Sequence, residues 1–211
     1  YSTNSKGTVT VTGAGSTWTN GNDGLFVGYF GEGTLAVESG GKVVSNWNGY
    51  IGAEANSTGT VTVTGPGSTW ENGNNLVVGE RGNGTLTVQD GGKVSTENGY
   101  IGNDAGSEGT ATVTGAGSIW TNNTWLYVGR EGKGTLTIEN GGQVLSEHSI
   151  IANEAGSSGE VAVSGAGSKW TNSGNLAVGN SGDAVLAVSG GGAVSNVNAF
   201  IGYYAVGSSE V

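Results

Sequence analysis

The chain repeats itself, and the repeat decides what it can fold into. GTVTVTGAGSTW runs from Gly7 to Trp18. It returns as GTVTVTGPGSTW from Gly59 to Trp70, GTATVTGAGSIW from Gly109 to Trp120 and GEVAVSGAGSKW from Gly159 to Trp170. The spacings are 52, 50 and 50 residues. Each unit divides again: GTLAVESGGKVV begins at Gly33, GTLTVQDGGKVS at Gly84, GTLTIENGGQVL at Gly134 and AVLAVSGGGAVS at Ala184. Similar segments therefore start every 25 or 26 residues, and Ser209-Glu210-Val211 opens a ninth. A fixed period of this length marks an array whose units bury their apolar faces against their neighbours. The chain reads as one domain, 1–211, of four double units: 7–58, 59–108, 109–158 and 159–208.

Each segment carries three strand signals. The first alternates, as in Thr8-Val9-Thr10-Val11-Thr12. The second surrounds Trp18 or, in alternate segments, Val43, and the third is an apolar-x-apolar-Gly piece such as Leu25-Phe26-Val27-Gly28 or Tyr50-Ile51-Gly52. Period-two patterning with β-branched residues predicts strands, and the Gly, Asn and Ser clusters between them predict turns. Three strands and three turns in about 25 residues make one coil of a β-solenoid, stacked roughly 4.8 Å above the last. The expected fold is all-β, a right-handed parallel β-helix of about eight coils, since parallel crossovers are right-handed as a rule. A β-propeller is the alternative for a 50-residue period, but the half-period is too short for a four-stranded blade.

Composition removes other classes. Glycine supplies 44 of 211 residues, about three times average usage, but without a G-X-Y period and with one proline, so collagen is excluded. Regularly placed Val, Leu, Ile and Trp argue against a disordered linker. There is no cysteine, hence no disulfide or thiolate metal site, and no apolar run long enough for a membrane-spanning helix. With 7 basic against 17 acidic residues the net charge is −10, which argues against nucleic acid and anionic lipid as partners.

The alternation assigns an inside. Val9 and Val11, Leu35 and Val37, Val61 and Val63, Leu86 and Val88, Ala111 and Val113, Leu136 and Ile138, Val161 and Val163, and Leu186 and Val188 face inward, with the threonines outward. The second-strand column reads Trp18, Val43, Trp70, Val94, Trp120, Val144, Trp170, Val194. Indoles on every second coil have about 10 Å between them, which explains why the true period is a double coil. An exposed row of tryptophans for sugar binding is the other reading of the same column. Asn20, Asn46, Asn72, Asn98, Asn122, Asn172 and Asn196 follow it, and stacked amides are expected to form a structural ladder.

The block GTVTVTGAGSTWTN…LFVG…GTLAVESGGKV…GYIG resembles repeats in passenger domains of bacterial autotransporters and related large secreted outer-membrane proteins, over nearly the whole chain. The resemblance implies a right-handed β-helix, secreted and displayed at the cell surface of a Gram-negative bacterium. Such proteins are mostly adhesins or self-association factors. The chain begins mid-repeat at Tyr1 and ends mid-strand at Val211, and no signal peptide, polar cap or C-terminal barrel is recognisable in it. The expectation is a fragment of a longer rod whose parent chain is tethered to an outer-membrane barrel.

No catalytic, cofactor-binding or metal-ligating residue is assigned. The sole histidine, His148, beside Glu147, is expected to be a solvated turn residue rather than half of a catalytic pair. Ser/His/Asp groupings, calcium-binding repeats and metal-ligand clusters are not recognisable. Acidic pairs such as Glu80 with Asp90 arise by chance among 17 scattered acids. Lys42 and Lys93, at corresponding turn positions, are expected to be solvated, and Lys42, Arg81, Lys93, Arg130, Lys133 and Lys169 form no cluster in sequence. Asn56-Ser57-Thr58, Asn83-Gly84-Thr85 and Asn122-Asn123-Thr124 match the glycosylation sequon and read as coincidence in a chain rich in Thr and Asn.

The leading expectation is a structural, adhesive rod that attaches or self-associates through its repeated outer surface, and not an enzyme. Its partners would be other copies, side by side or end to end, or surface glycans and proteins. One alternative is a carbohydrate-active or carbohydrate-binding β-helix of polysaccharide lyase or tailspike type. Another is an ice-binding grid of Thr8/Thr10/Thr12, Thr60/Thr62/Thr64, Thr85/Thr87, Thr110/Thr112/Thr114 and Thr135/Thr137, broken at Ala36, Glu38, Gln89, Glu139, Glu160 and Ala162.

Overall fold

A computed structural model describes residues 5–21 and 23–203. Tyr1 and the ninth copy at Ser209–Val211 lie outside the described residues. Within them the chain is a β-solenoid of eight stacked coils with three strands in each, and no helix. Coil 1 holds strands Lys6–Thr12, Thr17–Asn20 and Leu25–Val27, and coil 8 holds Asp183–Ser189, Ala193–Ser195 and Asn198–Ile201. The first strands of all eight coils pair in coil order to form one sheet, the second strands a second sheet and the third strands a third. Every pairing is parallel and in register with the repeat: Gly33 lies over Gly7 and under Gly59, and Val63 lies over Val37.

Inward valines, leucines and isoleucines of the first and third strands form one continuous core with the Trp/Val column. Trp70, Trp120 and Trp170 are 0% exposed, each paired with the valine of the coil below and the coil above, as Val43–Trp70–Val94. Trp18 is only partly buried, because coil 1 has a described coil on one side alone. The same edge effect leaves Val9 at 40% and Ile201 at 84% exposure.

A second alternation runs in phase with the first. The inward residue of the third strand is leucine in the tryptophan coils, at Leu25, Leu76, Leu126 and Leu176. In the valine coils it is small, at Gly49, Gly99, Ser149 and Ala199. A Cβ on Gly49 would stand 2.8 Å from Trp70 Cζ2 and 2.8 Å from Asn72 Oδ1. The glycine thus makes the space that the indole and amide of the next coil fill, and close packing is kept by two columns rather than one.

Close stacking also explains the glycine at the second position of the first strands of coils 2 to 7. A Cβ on Gly109 would lie 2.1 Å from the Val78 carbonyl oxygen and 2.4 Å from the Gly102 nitrogen. No side chain fits where the backbones of adjacent coils meet.

Candidate functional site

The Asn column is not the single ladder expected from sequence. Pairing places Asn20, Ser45, Asn72, Thr96, Asn122, Ser146 and Asn172 one above another, with Asn196 following the last paired residue, Ser195. Asn46 is exposed one residue beyond Ser45, and Asn98 lies two residues beyond Thr96 in the next strand. The physical reason is that hydroxyl residues do the work of asparagine in the valine coils. Three of these side chains reach across the turn toward the start of the third strand. Asn72 Nδ2 donates to the Asn75 carbonyl at 2.7 Å, Ser45 Oγ to the Asn48 carbonyl at 3.3 Å, and Thr96 Oγ1 to the Asn98 carbonyl at 3.1 Å. In coil 6, Ser146 and Ser149 both donate to Asn172 Oδ1, at 2.8 and 2.6 Å. From Ser45 to Asn172 the column is buried and fastens turns.

Asn98 belongs to an outer column that sequence reasoning missed: Asn48, Asn75, Asn98, Trp125, His148, Asn175 and Asn198 at the start of the third strands. Here too side chains bind across coils. The Asn75 backbone N–H donates to Asn48 Oδ1 at 3.1 Å, Asn98 Nδ2 to Asn75 Oδ1 at 3.0 Å, and the Trp125 N–H to Asn98 Oδ1 at 3.3 Å. The Asn175 N–H donates to His148 Nδ1 at 2.9 Å, and Asn198 Nδ2 to Asn175 Oδ1 at 3.0 Å. His148 is therefore not a free turn residue. Beside this column outward aromatics stack: Phe26 on Tyr50 at 4.8 Å, Tyr100 on Tyr127 at 5.2 Å and Trp125 on Tyr127 at 5.7 Å.

The corner after the third strand is tied by ions. Arg81 bridges two coils, with Nη1 3.2 Å from Glu54 and Nε 3.1 Å from Asp104. Arg130 donates to Asn103 Oδ1 at 3.2 Å and lies over the Tyr100 ring at 5.8 Å. Burial, then the Asp104 charge, push the Glu80 carboxyl above the usual glutamate range, against Arg81 and the hydrogen bond from Asn103. Hydrogen bonds from Thr124 and Asn123 hold Glu97 below it. Lys42 pairs with Glu71 of the next coil at 2.6 Å, so it is more than a solvated cation, whereas Lys93 stays exposed. These pairs are solvent-exposed, so water and salt screen them and they add little to stability.

The outer face of the first sheet is different. Thr8, Thr34, Thr60, Thr85, Thr110 and Thr135 stand in one unbroken column, and Thr62, Thr87, Thr112 and Thr137 in the next. Among the described residues their hydroxyls have no protein partner. The first column changes to Glu160 at coil 7, and the second carries Ala36 and Ala162. The columns on either side bind across coils: the one at the turn, as in Asn140 Nδ2 to Thr114 Oγ1 at 3.1 Å, and the one that opens the strands, where Lys6 pairs with Glu32 and Lys133 with Glu108, each at 2.7 Å.

Nothing converges on a pocket. A depression of about 640 Å³ opens on the core of coil 1 against Val9, Trp18, Leu25 and Leu35. Glu80 and Asp90 sit in different turns, the first beside Asn103 and Asp104, the second beside Thr64. Among the described residues no group of three His, Asp or Glu is placed to hold a metal ion, and no helix is long and apolar enough to cross a membrane. Comparison with family models, curated proteins and solved structures yields no match for this chain.

Proposed function

We propose that the chain is a structural and adhesive rod, part of a secreted, surface-displayed passenger region of the autotransporter kind. It attaches to surfaces or to other copies of itself through its repeated outer face. The observation that carries this reading is the threonine face: a register-locked array whose hydroxyls have no partner among the described residues. Hydroxyl groups left to solvent at up to one per coil in each column offer many weak, similar contacts, and weak contacts in a rigid series add through multivalency. The charge of −10 disfavours close approach of two rods at low salt, so contacts are expected to concentrate where the surface carries no charge. Partners of this chemistry are neutral and hydroxyl-rich, such as surface glycans, or another rod.

The test removes one double coil at a time, residues 59–108 or 109–158, each deletion joining coils in phase. Surface attachment or cell aggregation of displaying cells is the readout. Graded loss with each deletion supports the rod. Complete loss from one deletion, with the other silent, would place the activity at a discrete site and end the distributed reading.

A further inference from the structure

His148 replaces asparagine in the outer column of the third sheet, and the replacement changes what the column can do. Below it, amide oxygens of Asn48 and Asn98 accept the backbone N–H of the next coil at 3.1 and 3.3 Å. At His148 the acceptor is Nδ1, which takes the Asn175 N–H at 2.9 Å. An amide oxygen accepts at every pH, but an imidazole nitrogen accepts only while it is unprotonated. The bond therefore fixes the neutral tautomer with the proton on Nε2, which points toward Glu147 Oε1 at 3.6 Å.

A second observation ties the coil above to the histidine. A Cβ on Gly174 would lie 2.4 Å from His148 Cε1 and 2.5 Å from Nδ1. Gly174 does not have a left-handed φ, so its backbone does not call for glycine. The earlier tryptophan coils carry Asn74 and Thr124 at this position, above Asn48 and Asn98. Glycine appears where the wider ring must be housed.

We infer that His148 and Gly174 form an acid-sensitive latch that fastens coil 7 to coil 6 when the imidazole is neutral and releases it when the imidazole is protonated. Histidine is the side chain whose charge ordinarily changes between pH 5 and 8. Protonation puts a second donor in front of the Asn175 N–H, and two donors cannot share the 2.9 Å contact. Of the charged groups around the ring, Glu147 on its own turn is the one in contact. Glu97, in the same turn column two coils below, is engaged by Thr124 and Asn123. The strand below presents the uncharged Trp125, whose ring is 4.7 Å from the imidazole, and the turn above presents Gly174 and Asn175. Glu147 gives the charged ring a place to turn, so acid opens this joint without expelling the side chain.

Residue-resolved amide hydrogen exchange tests the latch, comparing about pH 7.5 with about pH 5 after correction for intrinsic exchange. Asn175 should lose protection by about tenfold or more, while the Asn75 and Trp125 amides, held by asparagine oxygens, stay within about twofold. His148→Asn should keep Asn175 protected at both pH values. Gly174→Ala, which crowds the ring, should remove the protection at both, and combining it with H148N should restore it. Equal pH response at Asn175 and Trp125, or an acid response that survives in His148→Asn, would overturn the latch. So would imidazole nitrogen shifts showing the proton on Nδ1 at neutral pH.

Discussion

On the first sheet, Thr60, Thr85, Thr110 and Thr135 stand in register with hydroxyls that no other group among the described residues engages. On the third sheet, built from the same coils, Asn48, Asn75, Asn98, His148 and Asn175 pass hydrogen bonds from coil to coil, and Tyr100 stacks on Tyr127. The backbone cannot explain the difference, because all three sheets carry the same parallel ladder. The side chains do. Asparagine has both donor and acceptor and can reach its neighbour across the coil spacing, whereas a threonine hydroxyl on a short, branched stem stays where the strand puts it. One face is spent on holding the stack together, and the other is left for whatever meets the rod.

The interior serves both faces equally, so breaking it sets the scale. Trp120→Ala should cost about 3–5 kcal/mol, measured by denaturant unfolding, because a fully buried indole leaves a cavity between Val94 and Val144. A loss below about 1 kcal/mol would mean the column is not the core. The comparison between faces comes next. Asn98→Ala removes an acceptor for Trp125 and a donor to Asn75, and should cost about 1 kcal/mol. Thr87→Ala should stay within about 0.5 kcal/mol. Equal costs would erase the distinction between a structural face and a free one.

Two carboxylates on the structural side should answer pH in opposite senses. The Glu80 carboxyl is raised by burial and by Asp104, so the folded state holds its proton more tightly than the unfolded one. Stability then falls as pH rises from the unfolded value, 4.5, through the folded value, and the full cost stands at neutral pH. Glu80→Gln should raise Tm by about 1 °C at neutral pH and leave it unchanged near pH 4. Glu97 is lowered by Thr124 and Asn123, so its contribution stands above the unfolded value and is lost as pH falls through the folded one. Glu97→Gln should lower Tm at neutral pH, and the gap should close on acidification.

The solenoid is legible in the sequence because its cause is local: an alternating Val/Thr strand, a turn of Gly and Ser, and a repeat that recurs every coil. The Trp/Val column can be named because each residue sits at a fixed offset from its coil start. The asparagine register cannot be read that way. Ser45 and Thr96 take the place of asparagine in the stack, and following the residue type alone slips to Asn46 and Asn98. The Leu/Gly alternation at Leu76 and Gly99 is visible in the letters, but its meaning needs the neighbouring coil, where Asn122 and Leu126 fill the space Gly99 leaves. His148 reads as a lone turn residue for the same reason, since its partner Asn175 is 27 residues away in sequence. Periodicity says which residues recur, whereas the side-chain contacts between coils depend on the exact register of each turn.

The proposed attachment rests on the free threonine face. Its most direct measurement compares two double substitutions of equal charge in the displayed rod: Thr87→Glu with Thr112→Glu on the first sheet, and Thr121→Glu with Thr171→Glu on the outer face of the second. Attachment or aggregation is read alongside the unfolding midpoint. The account predicts that the first pair cuts attachment at least about tenfold while both pairs keep the stability of the parent within about 1 kcal/mol. Unchanged attachment in the first pair, or the same loss from the second, would contradict it.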